Sequence, residues 1–200
     1  MNFEGINAYV YGCGLAGRWA VDYLMLNGAN ILGFIDSDSK KADFEYSGIK
    51  VWSPKILSSN LECDLLVNSI VDIQDNNELL IKLFGNKYMP LGHILSSIDI
   101  SSTELSDSDE DSSLQYLHYS LDAVRSCHLN FLDKSTVYMR SIDIVVTERC
   151  SLKCKDCSNL MQYYGKPSNF SLEEIIKVIE TLLSSVDFIY EFRVIGGEPF

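Results

Sequence analysis

Cys150, Cys154 and Cys157 stand within the eight residues Cys150-Ser151-Leu152-Lys153-Cys154-Lys155-Asp156-Cys157, and Gly196-Gly197-Glu198-Pro199 follows downstream. Thiolates are the ligands of iron–sulfur clusters and of many zinc ions, and structural sites of both kinds normally use four protein ligands. A tight trio with no fourth cysteine after it suits a cubane whose fourth iron stays open for a ligand that reacts. Two plainer readings stand beside this one. A zinc site could be completed by Cys127, His128 or a carboxylate, although zinc spacings more often come as paired CxxC units. The three thiols could also be inert.

A second candidate lies near the start. Gly12-x-Gly14-x-x-Gly17 follows an apolar run and opens a helical pattern, and Asp36 comes 24 residues after Gly12. In that context the pattern is a dinucleotide-binding fingerprint. Gly12 and Gly14 give a tight turn and close phosphate approach, Gly17 lets helix pack on strand, and the helix N-terminus favours an anion. Asp36 is placed to accept from a ribose diol. Cys13, inside the loop, is read as a small buried filler. Tyr46 and Lys50 are set aside as a dehydrogenase or epimerase pair, and His93, His118 and His128 are read as isolated surface or core residues.

The elements that must position these groups alternate. Strands are expected at residues 6–11, 31–35, 48–51 and 64–70, with helices after Gly14, a turn from Ser53-Pro54 and a helix over 76–84. Such alternation predicts an α/β fold with a parallel sheet covered on both faces. Residues 99–113 are dominated by Ser, Asp and Glu and read as an acidic linker that cannot bury enough apolar surface to order itself. Leu114, Leu117, Leu121, Val124 and His128 share one helical face, predicting a helix over 113–131 that packs between the two halves. Residues 141–147 read as a strand that delivers the cysteines. Ser171-x-x-Glu174 has the capping-box spacing, and a strand over 188–195 ends at Gly196. Both the trio and the glycine pair therefore fall at carboxyl ends of parallel strands, where α/β folds carry their chemistry. The expected division is 1–98 for a Rossmann-like nucleotide-binding domain, 99–113 for the linker, 114–140 for the connecting helix, and 141–200 for a βαβ unit.

Composition sets the outer limits. A formal charge of −12 argues against a nucleic-acid partner, since phosphate binding is driven by lysine and arginine. No stretch reaches the roughly 20 apolar residues of a membrane span, and the N-terminus lacks signal-peptide features. Six cysteines in 200 residues are too sparse for a disulfide framework, so a reducing cytoplasmic setting is expected.

CxxxCxxC followed by GGEP resembles the radical S-adenosylmethionine (SAM) superfamily. The resemblance implies that Cys150, Cys154 and Cys157 hold a [4Fe–4S] cluster, and that Gly196, Gly197, Glu198 and Pro199 border the methionine part of S-adenosyl-L-methionine. It implies an electron delivered by a reductant protein, reductive cleavage of SAM, and a 5′-deoxyadenosyl radical that takes hydrogen from the substrate. Asp156 departs from the pattern, standing where the family usually has an aromatic residue beside the adenine. The implied fold for 141–200 is the first βαβ unit of a partial TIM-type barrel, which makes the chain an expected N-terminal fragment of a longer enzyme. Gly33-Phe34-Ile35-Asp36-Ser37-Asp38 and Gly48-Ile49-Lys50-Val51-Trp52-Ser53-Pro54 resemble the Rossmann-like domains of sugar-modifying and surface-polysaccharide proteins. That resemblance implies NAD or a nucleotide-sugar at Gly12, Gly14, Gly17 and Asp36, and a small-molecule or nucleotide-sugar substrate. The alternative from another class is a nucleotide- or nucleotide-sugar-binding module with a non-catalytic metal site.

Overall fold

Alternating apolar residues in short β-rich runs, punctuated by Gly and Asn-Gly, give the first part of the chain its strands, and 3.6-residue stripes give it its helices. The computed structural model describes residues 1–42, 44–59, 61–104, 111–152 and 154–197. Two compact units emerge, Met1–Leu132 and Asp133–Phe200.

In the first unit the order is β1 (Asn7–Tyr11), α1 (Leu15–Leu26), β2 (Asn30–Ile35), β3 (Glu45–Tyr46), β4 (Ile49–Trp52), β5 (Leu65–Asn68), α2 (Asn77–Phe84), β6 (Tyr88–Pro90), α3 (Leu91–Leu95) and α4 (Asp111–Leu132). The sheet runs β3-β4-β2-β1-β5-β6, parallel throughout except for the β3–β4 pair. The chain builds outward from β1 on one side and then returns to build on the other. The order reverses between β1 and β5, the switch point where doubly wound sheets open a crevice. This is an α/β fold with a mostly parallel, Rossmann-like sheet.

Period-two alternation sends side chains to opposite faces. Ala8, Val10, Phe34, Val51, Leu65 and Val67 face α1, α3 and α4 in one core. Tyr11, Ile35 and Leu66 face Leu80 of α2 in the other. The helix expected as a connector between two halves belongs to the first unit, where Leu117, Leu121 and Val124 of α4 join the core. Nor is the expected linker solvated throughout. It begins with a 3₁₀ turn, Ile100–Ser102, in which Ile100 is buried, and Thr103 is buried after it. Residues 105–110 of that linker lie outside the described residues.

The second unit is β7 (Tyr138–Thr147), α5 (Leu172–Leu183) and β8 (Phe188–Gly196), with β7 and β8 parallel. β7 begins three residues before the expected start, because Tyr138 stacks on Phe188 with ring centroids 5.9 Å apart. The capping box is present: the Ser171 hydroxyl accepts from Glu174 N–H at 3.3 Å, and Glu174 Oε2 accepts from Ser171 N–H at 2.8 Å. A strand, a crossover helix and a parallel strand make one βαβ unit.

Candidate functional site

Backbone geometry builds the glycine loop. Gly12 has φ +102, the region that L side chains rarely adopt, and a Cβ there would meet Ser69 Oγ at 2.7 Å. A Cβ on Gly17 would collide with the Gly12 carbonyl, so only glycine lets the first turn of α1 lie this close to the loop. At Gly14, the N-cap of α1, a Cβ would have no described atom within 4 Å.

Around this loop the carboxyl ends of β1, β2 and β5 converge. Ser69, just past β5, donates its hydroxyl to the Tyr11 carbonyl at 2.8 Å, tying the two sides of the switch point. The strand expected over 64–70 ends at Asn68, which frees Ser69 for the loop.

Asp36 is turned into the protein. Its Oδ2 accepts from Cys13 N–H at 2.7 Å and from Lys41 Nζ at 3.1 Å, while Oδ1 accepts from Asp38 N–H at 2.9 Å. Burial alone would raise this carboxyl's pKa. The hydrogen bonds from Asp38 and Cys13 and the Lys41 charge outweigh it and hold Asp36 below the usual carboxylate value. A carboxylate offers about four acceptor positions, and Asp36 uses one on the glycine loop at Cys13 and two on its own turn at Asp38 and Lys41. Asp36 therefore fixes the glycine turn, a role that sequence reading did not give it. Lys41, which it also missed, is bound through a pairing five residues away that carries no motif.

Cys13 is 1% exposed, and burial pushes its thiol pKa up despite the nearby Arg18 and Lys41 charges. It is core. Tyr46 and Lys50 sit on opposite strands of the β3–β4 hairpin, in register with Ile49 and Glu45 respectively. Their side chains leave opposite faces, unlike a pair one turn apart on a helix. A hollow of about 620 Å³ lined by Asn7, Leu61, Cys63, Asp64 and Lys87 lies at the amino ends of the strands, the other end from the glycine loop.

In the second unit Cys150, Cys154 and Cys157 follow the carboxyl end of β7. Cys154 is exposed, and Cys150 and Cys157 are half-buried. After Cys157 the chain curls through Leu160 at φ +53, an uncommon value for a non-glycine residue. The N–H groups of Met161 and Asn159 donate to the Cys157 sulfur, with a smaller contribution from Leu160, and hold its thiol below the ordinary cysteine value. Gly196 stands in register with Thr147, and Gly197 N–H donates to the Thr147 carbonyl at 3.0 Å. A Cβ on Gly197 would collide with the Arg149 carbonyl and come 2.6 Å from the Cys150 Cβ. The structure thus packs the first two residues of Gly196-Gly197-Glu198-Pro199 directly on the start of the cysteine loop. Glu198 and Pro199 lie outside the described residues.

Among the described residues, no three His, Cys, Asp or Glu side chains converge on one metal-ion position. Cys127 and His128, weighed as completing ligands for zinc, are fully buried within the first unit. His128 Nδ1 accepts from Gly92 N–H at 3.2 Å and Nε2 lies 2.8 Å from the Ile70 carbonyl. Among the described residues no helix is long and apolar enough to cross a membrane.

No protein-family model matches the chain, and no curated protein does. Among solved structures it is similar to UDP-D-quinovosamine 4-dehydrogenase from Vibrio fischeri, with 21% identity over 55% of this chain and 97% of that one, at a TM-score of 0.38. A Rex-family repressor, RSP, in complex with NAD+ and operator DNA, shares 17% identity over 66% of this chain and 63% of that one, at a TM-score of 0.35. L-tryptophan dehydrogenase from Nostoc punctiforme shares 16% identity, covering 67% of this chain and 48% of that one, at a TM-score of 0.31.

Proposed function

We propose that the second unit is the cluster-binding part of a radical SAM enzyme, with Cys150, Cys154 and Cys157 as the ligands of a [4Fe–4S] cluster. The observation that carries this reading is the packing of Gly197 on Arg149 and Cys150, which joins the two motifs in space although 38 residues lie between Cys157 and Gly196. The donor set suits the group. It consists of three thiols, one of them already facing backbone N–H groups of the kind that tune cluster sulfurs. A cubane distributes three thiolates over three irons, so it does not require them to converge on one point. A mononuclear zinc ion does, and among the described residues no three His, Cys, Asp or Glu side chains are so placed. When bound, the cluster supplies the electron for reductive cleavage of S-adenosyl-L-methionine. The chain's own share is to hold the sulfurs and to keep side chains off the glycine backbone that borders the methionine part.

The test is electron paramagnetic resonance on the anaerobically reconstituted, dithionite-reduced chain, with and without SAM. A [4Fe–4S]⁺ signal that changes on adding SAM supports the reading. Retention of zinc with no cluster overturns it in favour of a binding module.

A second reading concerns the first unit and rests on the open face at Gly14 between the constrained Gly12 and Gly17. This loop binds the phosphates of NAD or of a nucleotide-sugar, with the ligand lying across the β1–β5 crevice. Lys41, paired with Asp36 just past β2, is the cation that would meet the phosphates. Calorimetric titration of the chain with NAD and with UDP-sugars tests this directly. Heat from neither, at millimolar ligand, leaves the sheet as a scaffold.

A further inference from the structure

Thr147, the last residue of β7, connects three segments at once. Its hydroxyl donates to Asn169 Oδ1 at 2.6 Å and accepts from Arg149 N–H at 3.1 Å, while its carbonyl accepts from Gly197 N–H at 3.0 Å. Next to it, Glu148 N–H donates to the Ser168 carbonyl at 2.8 Å, and Glu148 Oε2 accepts from Ser168 N–H at 2.8 Å. Phe170 N–H donates to the Val146 carbonyl at 3.2 Å, and Thr147 and Asn169 form an isolated antiparallel bridge. The segment 168–170 thus lies along the carboxyl end of β7 and closes residues 149–167 into one loop. All three cysteines are inside it.

We infer that the Thr147–Asn169 pair is a positioning latch for this loop, and that it couples the cysteine segment to the glycine pair. The inference rests on the cluster reading for its function but not for its geometry. The backbone bonds at 148, 168 and 170 fix which residues face each other. They leave the direction of the chain leaving Thr147 to its hydroxyl, which sets Arg149 N–H and with it the Arg149 carbonyl that lies against Gly197. Without the hydroxyl, Arg149 N–H and Asn169 Oδ1 both lose their partner at the point where the loop departs. Open loop ends sample more conformations, and the added entropy counts against bringing three thiols to one cluster. Partners behind metal ligands typically change metal affinity about 10- to 100-fold when removed.

The discriminating variants are Thr147→Val, which keeps the β-branched shape and removes the hydroxyl, and Thr147→Ser, which keeps the hydroxyl. Asn169→Ala removes the other half of the latch. Iron and sulfide are measured per chain after reconstitution at limiting iron. Limited trypsin digestion of the metal-free chain is followed at Arg149 and Lys155. The expected result is an iron content about tenfold lower in Thr147→Val and Asn169→Ala, wild-type content in Thr147→Ser, and several-fold faster loop cleavage in the first two only. Circular dichroism unchanged in all three shows that the β-unit is intact. Equal iron content and equal cleavage in Thr147→Val and wild type overturn the latch. If the wild-type chain itself takes up no cluster, the iron–sulfur reading fails and the cleavage rates alone decide whether the latch exists.

Discussion

One imidazole, that of His128, pins α4 to two other parts of the first unit: Nδ1 takes the amide proton of Gly92, and Nε2 sits 2.8 Å from the carbonyl oxygen of Ile70. The contact is tight enough that a Cβ on Gly92 would lie 2.5 Å from the His128 Cβ. Only a neutral ring with its proton on Nε2 satisfies both partners.

That arrangement makes stability depend on pH. Burial pushes the His128 pKa from 6.5 down to about 4, opposed by the Ile70 bond and assisted by the charge of His93. The unfolded chain takes up this proton first, so stability that is full above about pH 6.5 is lost as the pH falls towards 4. The loss approaches about 3 kcal/mol, at roughly 1.4 kcal/mol per pKa unit. Urea midpoints followed by tryptophan fluorescence across that range check it, and His128→Gln, which can still donate to Ile70 and does not titrate, should flatten the dependence.

Asp36 adds a separate loss at lower pH. Its folded pKa lies below the unfolded 3.8, so its contribution is full above that value and disappears as the pH falls through the folded one. At neutral pH, Asp36→Ala leaves the buried Cys13 N–H without its acceptor and should cost about 1–3 kcal/mol. Denaturant melts of the variant at about pH 7, against wild type, measure it.

Gly17 and Gly14 should respond in opposite ways to the same change. Gly17→Ala forces a methyl into the Gly12 carbonyl, and overpacking of this kind costs about 1–3 kcal/mol. Gly14→Ala meets no described atom and has an ordinary φ of −89, so stability should stay within about 0.5 kcal/mol. Nucleotide affinity should fall in Gly14→Ala all the same. Thermal melts paired with titration separate the two effects.

Gly197→Ala should abolish or sharply reduce cluster uptake while leaving the first unit's melt unchanged, because the clash is local to Arg149 and Cys150. Replacing Cys150, Cys154 or Cys157 singly by Ser should each remove the SAM-sensitive paramagnetic signal. Iron content and spectra of the four variants report it.

Apolar runs and helical stripes were legible in the sequence. β1, α1, β2, β5 and α2 all fall where those runs and spacings put them, and Ser171-x-x-Glu174 names its own helix start. The short pieces were not. β6 is three residues ending in Pro90, and α3 is five residues directly after it, too brief for either period to register. Asp36 was legible as part of the loop, but its bond to Cys13 N–H was not, since it spans 23 residues and has no sequence signature. Thr147 and Asn169 escaped notice for the same reason. Each is an ordinary residue until β7 and the crossover segment are laid side by side.

The rung between Thr147 and Gly196 has a consequence for how such a chain can change over time. What keeps the two motifs together is strand alignment, and nothing in that rung depends on how many residues run between them. Insertions in the turn from Ser184 to Asp187, between α5 and β8, would be absorbed at the surface. A single residue added within β8 would slide Gly196 and Gly197 off the cysteine segment and swap the strand's faces. Length variation should therefore gather at the crossover, and the spacing within β8 should be nearly inflexible.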